Sequence, residues 1–303
     1  MATPLSFWIA FHVGVFAVLA VDLCRKPGAV SYREAGIWSA IWVALSLGFN
    51  AVVWRLKGPD KALEFLTGYL VEYSLSVDNV LVFVLVMEYF RVPAAYQHRV
   101  LFWGVFGAIV LRGAMIAVGV VLVHQFQWVL YVFGAFLVFT GIKMFFSGDE
   151  GVDLENNGIL RWCKRIMPVT HDYVGAKFIV RNGAFWAFTP LALVLVFVDF
   201  IDIVFAVDSI PAIFAITQDS FIVYTSNICA ILGLRSLYFL ISGAVRRLVF
   251  LKMGLSIVLS FIGMKMLVAH WWALPTWLAL LVVALILGVS AIASLVSERH
   301  GKR

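Results

Sequence analysis

Charge is scarce in this chain: 13% of its 303 residues are Asp, Glu, Lys or Arg, where a soluble domain carries about a quarter. That scarcity excludes a solvated surface of ordinary extent. The 63% hydrophobic content and mean hydropathy of +0.99 place the surplus against lipid. Cysteine is scarce as well. Cys24, Cys163 and Cys229 stand apart with no CxxC pair, so neither a disulfide framework nor a zinc site is suggested. Walker, GxGxxG and HExxH motifs are missing from any usable context, and nothing points to ATP hydrolysis. A basic n-region is missing from MATPLSFW, so residues 5–24 are expected to be a retained span and not a cleaved signal peptide. The net charge is +6, but the basic residues are spread over short loops, a pattern that sets topology and does not suggest nucleic-acid binding.

What the chain does have is apolar length. At about 20 residues per crossing, nine transmembrane helices are expected, at 5–24, 35–54, 62–90, 99–123, 128–147, 187–217, 221–245, 249–269 and 274–296. The third and sixth are long enough to be tilted or broken. With the N-terminus outside, the cytoplasmic segments hold 16 Lys and Arg and the outer loops hold 3, which favours N-out and C-in. Residues 148–186 are expected to be a cytoplasmic loop, read as a solvated linker. Asn182-Gly183 in FIVRNGAFWAF (178–188) is a weak β-hairpin signal within it.

Two acidic cassettes sit in the middle of apolar segments: YLVEYSLSVDNV (69–80) and DFIDIVFAVDSI (199–210). Glu72 precedes Asp78 by six residues, and Asp202 precedes Asp208 by six; Asn79 and Ser209 follow with a neutral oxygen. A carboxylate at the centre of a membrane helix costs about 2.5–3.5 kcal/mol on insertion scales, so such a group needs partners, water or a cation. The four Lys and Arg inside spans repeat as well: Arg112 then Lys143, and Arg235 then Lys265. The order acid, acid, arginine, lysine therefore occurs twice over three spans each. An odd number of spans turns the second copy over, giving an all-α membrane fold of two inverted three-helix repeats. Repeat 1 is 62–147 and repeat 2 is 187–269, with two spans before and one, 274–296, after.

The donors favour a hard ion. Glu72, Asp78, Asp199, Asp202 and Asp208 offer carboxylates, and Asn79, Ser74, Ser76, Ser209 and Asn227 offer neutral oxygen; the cassettes hold no Cys or His. Such sets suit Mg, Ca or Mn better than Zn or Cu. Six residues of straight helix turn a side chain through about 120°, so convergence of each pair would be easier in an interrupted helix. Pro211 is expected to free the carbonyl of Val207 beside Asp208. The alternative is a salt-bridge network that holds helices in register. In a combined reading, Arg112, Lys143, Arg235 and Lys265 compensate the acids in one state and release them in another. His12 is expected to be a packed, hydrogen-bonded histidine, with an accessory-ligand role as the alternative.

EYSLSVDNV (72–80), FGAIVLR (106–112), YVFGAFLVFTGIKM (131–144), FAVDSIPAIFA (205–215), TSNICAILGLRSLYFL (225–240) and FIGMKML (261–267) closely resemble the TerC family of integral membrane proteins, especially its Alx-like members. The resemblance runs from roughly residue 5 to 297. It implies a nine-span, N-out protein of the bacterial inner membrane linked to Mn²⁺ efflux. It points to Glu72, Asp78, Asn79, Asp202, Asp208 and Ser209 as metal site residues, with Asp199 where close relatives often carry Glu. The reading is a manganese exporter, not an enzyme, with no cofactor required and Mn²⁺ as transported ion, coupled to protons or to the membrane potential. The alternatives are a membrane assembly or metal-delivery factor supplying Mn²⁺ to exported enzymes, and an exchanger of another divalent cation such as Ca²⁺. The expected partners are the ion and the lipid bilayer, and no nucleic acid.

Overall fold

In lipid, a backbone has no water to bond, so each crossing must satisfy its own N–H and C=O groups as a helix. The computed structural model describes residues 3–23, 31–126, 128–146, 169–170, 172–182, 185–242, 250–269, 271 and 274–301. Its helices are α1 (Leu5–Leu23), α2 (Tyr32–Lys57), α3 (Pro59–Tyr89), α4 (Ala94–Gln125), α5 (Trp128–Phe146), α6 (Pro190–Phe214), α7 (Ser220–Leu232), α8 (Leu234–Ser242), α9 (Leu251–Val268) and α10 (Thr276–Gly301). Among the described residues, seven stretches are long and apolar enough to cross a membrane: α2 to α6, α7 with α8 as one, and α10. In α1 the apolar stretch is Leu5–Val21, and α9 has 18 residues. The protein is an all-α integral membrane protein with one small hairpin outside the helices.

Local sequence sets the helix ends. Ser31 caps α2 by accepting from the Glu34 amide, and Asp219 caps α7 by accepting from Phe221 at 3.0 Å. Gly58 closes α2 at φ +90°, a conformation costly for residues with a side chain, and Pro59 then starts α3 where its missing N–H is no loss.

The centre is built from α3, α4, α6 and α7–α8. Of the α7–α8 crossing, 89% is buried, against 11% for α10, which borders lipid. Helix α3 packs on α7 while α4 packs on α6, and α5 lies along α9 in the most extensive contact of the fold. Small residues make that last contact possible. A Cβ added to Gly263 would stand 2.7 Å from the Gly134 carbonyl oxygen and 2.8 Å from the Val138 nitrogen, so the two backbones touch.

Three expectations are corrected. The third and sixth spans are unbroken helices, α3 and α6; Pro211 still has no N–H for the Val207 carbonyl, but the helix runs on past it to Phe214. The interruption falls instead at Gly233, between α7 and α8. Residues 178–188 are not a plain linker. Strands β1 (Ile179–Asn182) and β2 (Phe185–Phe188) pair antiparallel, Asn182 opposite Phe185, so the strands are joined through residues 183–184 and not around Asn182-Gly183. The hairpin therefore takes over the start of the span expected at 187. The acidic part of the loop, Asp149 to Glu155, lies outside the described residues.

The hairpin is tied to the helices. Thr189 donates from its amide to Phe178 and from its hydroxyl to the Lys177 carbonyl at 2.6 Å. Tyr173 donates to the Phe90 carbonyl at 2.8 Å, and burial raises its hydroxyl pKa, which keeps it a donor. Arg99 lies 5.3 Å from the Phe178 ring centroid.

Gly263→Val is expected to lower stability by about 1–3 kcal/mol through overpacking. Gly48→Ala, placed where a Cβ meets nothing within 4 Å, is expected to leave it unchanged or slightly improved. Thermal unfolding of the detergent-solubilised protein checks both.

Candidate functional site

Glu72 lies 13 residues into α3 and Asp202 lies 12 residues into α6, so each reaches mid-helix. Between them, from α4, comes Arg112, with no exposed side-chain surface. Its Nε donates to Asp202 Oδ2 at 2.9 Å and its Nη2 to Oδ1 at 2.8 Å, a two-point fork that only a guanidinium supplies. Nη1 turns the other way, donating to Glu72 Oε1 and, at longer range, to Asn227 Oδ1 at 3.3 Å and Ser209 Oγ at 3.4 Å. Asn227 of α7 completes the ring by donating from Nδ2 to Glu72 Oε2 at 3.2 Å. Two acids against one base leave this buried cluster a formal charge of −1.

The other described candidate side chains take no part in this cluster. Asp199, one turn before Asp202, presses against α4; a Cβ at Gly107 would stand 2.7 Å from its Oδ1. That same oxygen is buried without a hydrogen-bond partner. Asp208 meets the Thr140 hydroxyl at 3.4 Å and lies within the field of Lys143. Asn79 is buried in α3. The Asp78 backbone is helical, and its side chain lies outside the described residues. Among the described residues, no three Asp, Glu, His or Cys side chains converge closely enough to hold a metal ion.

The four membrane cations also divide. Arg112 joins both cassettes. Arg235, on α8, lines a narrow void with Asp202, Gly104 and Phe83. Lys143 faces Asp208, and Lys265 approaches the Ala215 carbonyl at 3.5 Å near Glu64. Glu64 pairs with Lys61 at 2.6 Å and accepts from Thr217. His12 uses both ring nitrogens, on the Trp8 carbonyl at 2.8 Å and the Tyr224 hydroxyl at 3.0 Å, as expected of a packed histidine. Thr140 and Gly107 were not singled out in the sequence. Thr140 carried a usable signal, since it stands directly before GIKM (141–144), the counterpart of GMKM (263–266). Gly107 carried none, because nothing about a helical glycine says what faces it.

These features define a polytopic membrane protein whose centre is a buried ion network drawn from both acidic cassettes. The model for the integral membrane protein TerC family matches residues 57–302, and the chain belongs to that family. It is 48% identical over 299 residues to an uncharacterized membrane protein of Myxococcus xanthus, STKORF319, covering 97% of this chain and 93% of that one. It is 47% identical over 317 residues to Alx of Escherichia coli strain K12, covering 100% and 98%; the name of that protein proposes a membrane-bound redox modulator. An uncharacterized membrane protein of Rickettsia felis is 38% identical over 294 residues, covering 96% and 98%. No solved structure matches the chain.

Arg112→Met strands two buried carboxylates and is expected to cost about 3–5 kcal/mol of stability. Combining it with Glu72→Gln and Asp202→Asn removes the stranded charges and is expected to recover most of that loss. Thermal unfolding of the single and triple variants measures both effects.

Proposed function

We propose that this protein is a divalent-cation exporter of the bacterial inner membrane, with Mn²⁺ as cargo and Arg112 as an internal stand-in for the ion. The observation that carries this reading is the meeting of Glu72 and Asp202 on one guanidinium with Asn227 and Ser209 beside it. Those four side chains are oxygen donors on three helices, two of them charged. A hard cation that keeps part of its water shell is served by such a set, and the Arg112 fork competes for the same oxygens. Replacing the guanidinium by a divalent ion changes the formal charge of the oxygen site from −1 to 0. With no divalent ion bound, Arg112 offsets one of the two carboxylate charges within the bilayer.

Supporting the inverted repeat is the reciprocal packing: α3 on α7, α4 on α6, and α5 on its counterpart α9. Such a plan places the binding site at the repeat interface near the midplane. Nine crossings follow if α1 and α9 both span. The 18 residues of α9 rise about 27 Å, close to the hydrocarbon thickness of about 30 Å. The Lys and Arg bias orients the chain N-out and C-in. Asp199 and Asp208 are assigned as flanking carboxylates along the path to this site. No cofactor is required, and export is driven by protons or by membrane potential.

Everted membrane vesicles containing the protein are expected to accumulate Mn²⁺, with Ca²⁺ as a weak competitor. Glu72→Gln and Asp202→Asn are each expected to reduce accumulation to that of vesicles lacking the protein, while still migrating as folded protein on size exclusion. Wild-type vesicles no better than empty ones, or undiminished flux in both folded variants, would overturn the proposal.

A further inference from the structure

Arg112 has a repeat counterpart that is buried close to the same acids. WGVFGAIVLR (103–112) and SNICAILGLR (226–235) end on Arg112 and Arg235, and the cassettes match Glu72 to Asp202 and Asn79 to Ser209. Exchanging the repeats turns every contact of Arg112 into one of Arg235. The fork on Asp202 becomes a fork on Glu72, the bond to Glu72 becomes one to Asp202, and Ser209 becomes Asn79. Asn227 becomes Gly104, which has no side chain. Two of these four exchanged partners already border Arg235. It lines a void with Asp202 and Gly104 of about 10 Å³, the room of about one water.

The void lies on one side of the acids. Its lining residue Phe83 follows Glu72 along α3, while Val198 precedes Asp202 on α6, and Leu101 and Gly104 precede Arg112 on α4. In the N-out orientation proposed above, α3 runs inward and α4 and α6 run outward, so all four stand on the cytoplasmic side. Helical side chains lean toward the N-terminus of their own helix. Arg112 therefore meets the acids from the outer side, and Arg235, on the inward-running α8, faces them from the cytoplasmic side across the void. The chain also gives Arg235 a joint. Helix α7 ends at Leu232 and α8 starts at Leu234, so Gly233 interrupts the crossing two residues before Arg235; the matching Val110 lies inside the unbroken α4. A helix interrupted at glycine can change its bend there.

We infer that Arg112 and Arg235 alternate on Glu72 and Asp202, Arg112 closing the outer side of the cation site and Arg235 the cytoplasmic side. The exchange rests on the exporter reading and supplies the step by which its site changes sides. In this structure Arg112 is seated, and the void marks the side from which a cation arrives. A turn of α8 at Gly233 carries Arg235 into the void and onto the acids, and Arg112 withdraws outward. One guanidinium at a time leaves the two acids at −1 in either state, so the protein passes between states without baring both carboxylates to the bilayer. Gly104 offers Arg235 nothing in place of the Asn227 carboxamide, so without a bound ion the Arg112 arrangement is the better held of the two.

Mn²⁺ accumulation by everted vesicles, together with Mn²⁺ binding to the detergent-solubilised protein, tests this. Arg235→Gln is expected to abolish accumulation while binding Mn²⁺ at least as tightly as the wild type, because it removes a cation beside the site and leaves its oxygens in place. An arginine with only a structural role would lose binding along with transport. Gly233→Ala adds a Cβ whose nearest neighbours stand at 3.6 Å, an ordinary contact, at a φ of −77° that alanine adopts without strain. It is expected to unfold no lower than the wild type yet to accumulate Mn²⁺ more slowly, and it decides the matter if Arg235→Gln does not fold. Accumulation at the wild-type rate in either folded variant, or binding lost together with transport in Arg235→Gln, would overturn the exchange. Wild-type vesicles that take up no Mn²⁺ would instead overturn the exporter reading beneath it.

Discussion

One guanidinium decides how the centre of this protein is arranged. Arg112 is fully buried, and its two faces hold carboxylates from the two acidic cassettes. Removing an ion from water into hydrocarbon costs several kcal/mol even after relaxation, so the triad persists only because its geometry is nearly complete. The fork on Asp202 uses both carboxylate oxygens; the remaining Nη1 serves Glu72, and Asn227 bonds both sides of the second pair. Because the partners come from α3, α6 and α7 and the arginine itself from α4, satisfying one arginine fixes the depth and rotation of four helices. The proposed ion site would thus use the same atoms as the salt-bridge scaffold.

Around that centre, packing follows a rule that differs from soluble cores. Lipid gives no hydrophobic reward for bringing helices together, so close contact relies on small residues and on hydrogen bonds. The α5–α9 seam uses the first: Gly134 and Gly263 allow one backbone to lie on the other. The α3–α7 contact includes small side chains as well. A Cβ on Gly68 would meet the Ser226 hydroxyl at 2.9 Å, and that hydroxyl already donates within its own helix to the Ile222 carbonyl.

The apolar runs, the scarcity of charge and the pairing of acids with arginines were legible because they are properties of position along the chain. The meeting of Glu72 and Asp202 was legible too, since both cassettes sit at mid-span. The use of Arg112 by both acids was not: sequence gives a charge and its depth, while partner choice depends on helix rotation and on which helices are neighbours. The separation of Asp208 from Asp202 was legible for a straight helix, and what the sequence left open was whether α6 is one. On the unbroken α6, six residues carry Asp208 round to Thr140 on α5. Pro211 lacks an N–H for the Val207 carbonyl, as its sequence position required, yet α6 continues past it to Phe214 without a break. The interruption came at Gly233, in a stretch with no proline and no charge beyond Arg235. The hairpin was visible only as a dipeptide, and its actual register moved the joint by one residue.

Between β2 and α6 there is a single residue, Thr189, which is fully buried and bonded through both its amide and its hydroxyl to the segment before β1. The hairpin and the start of the helix are thus bound into one piece, so a pull on the strands is a pull on the helix that carries Asp202.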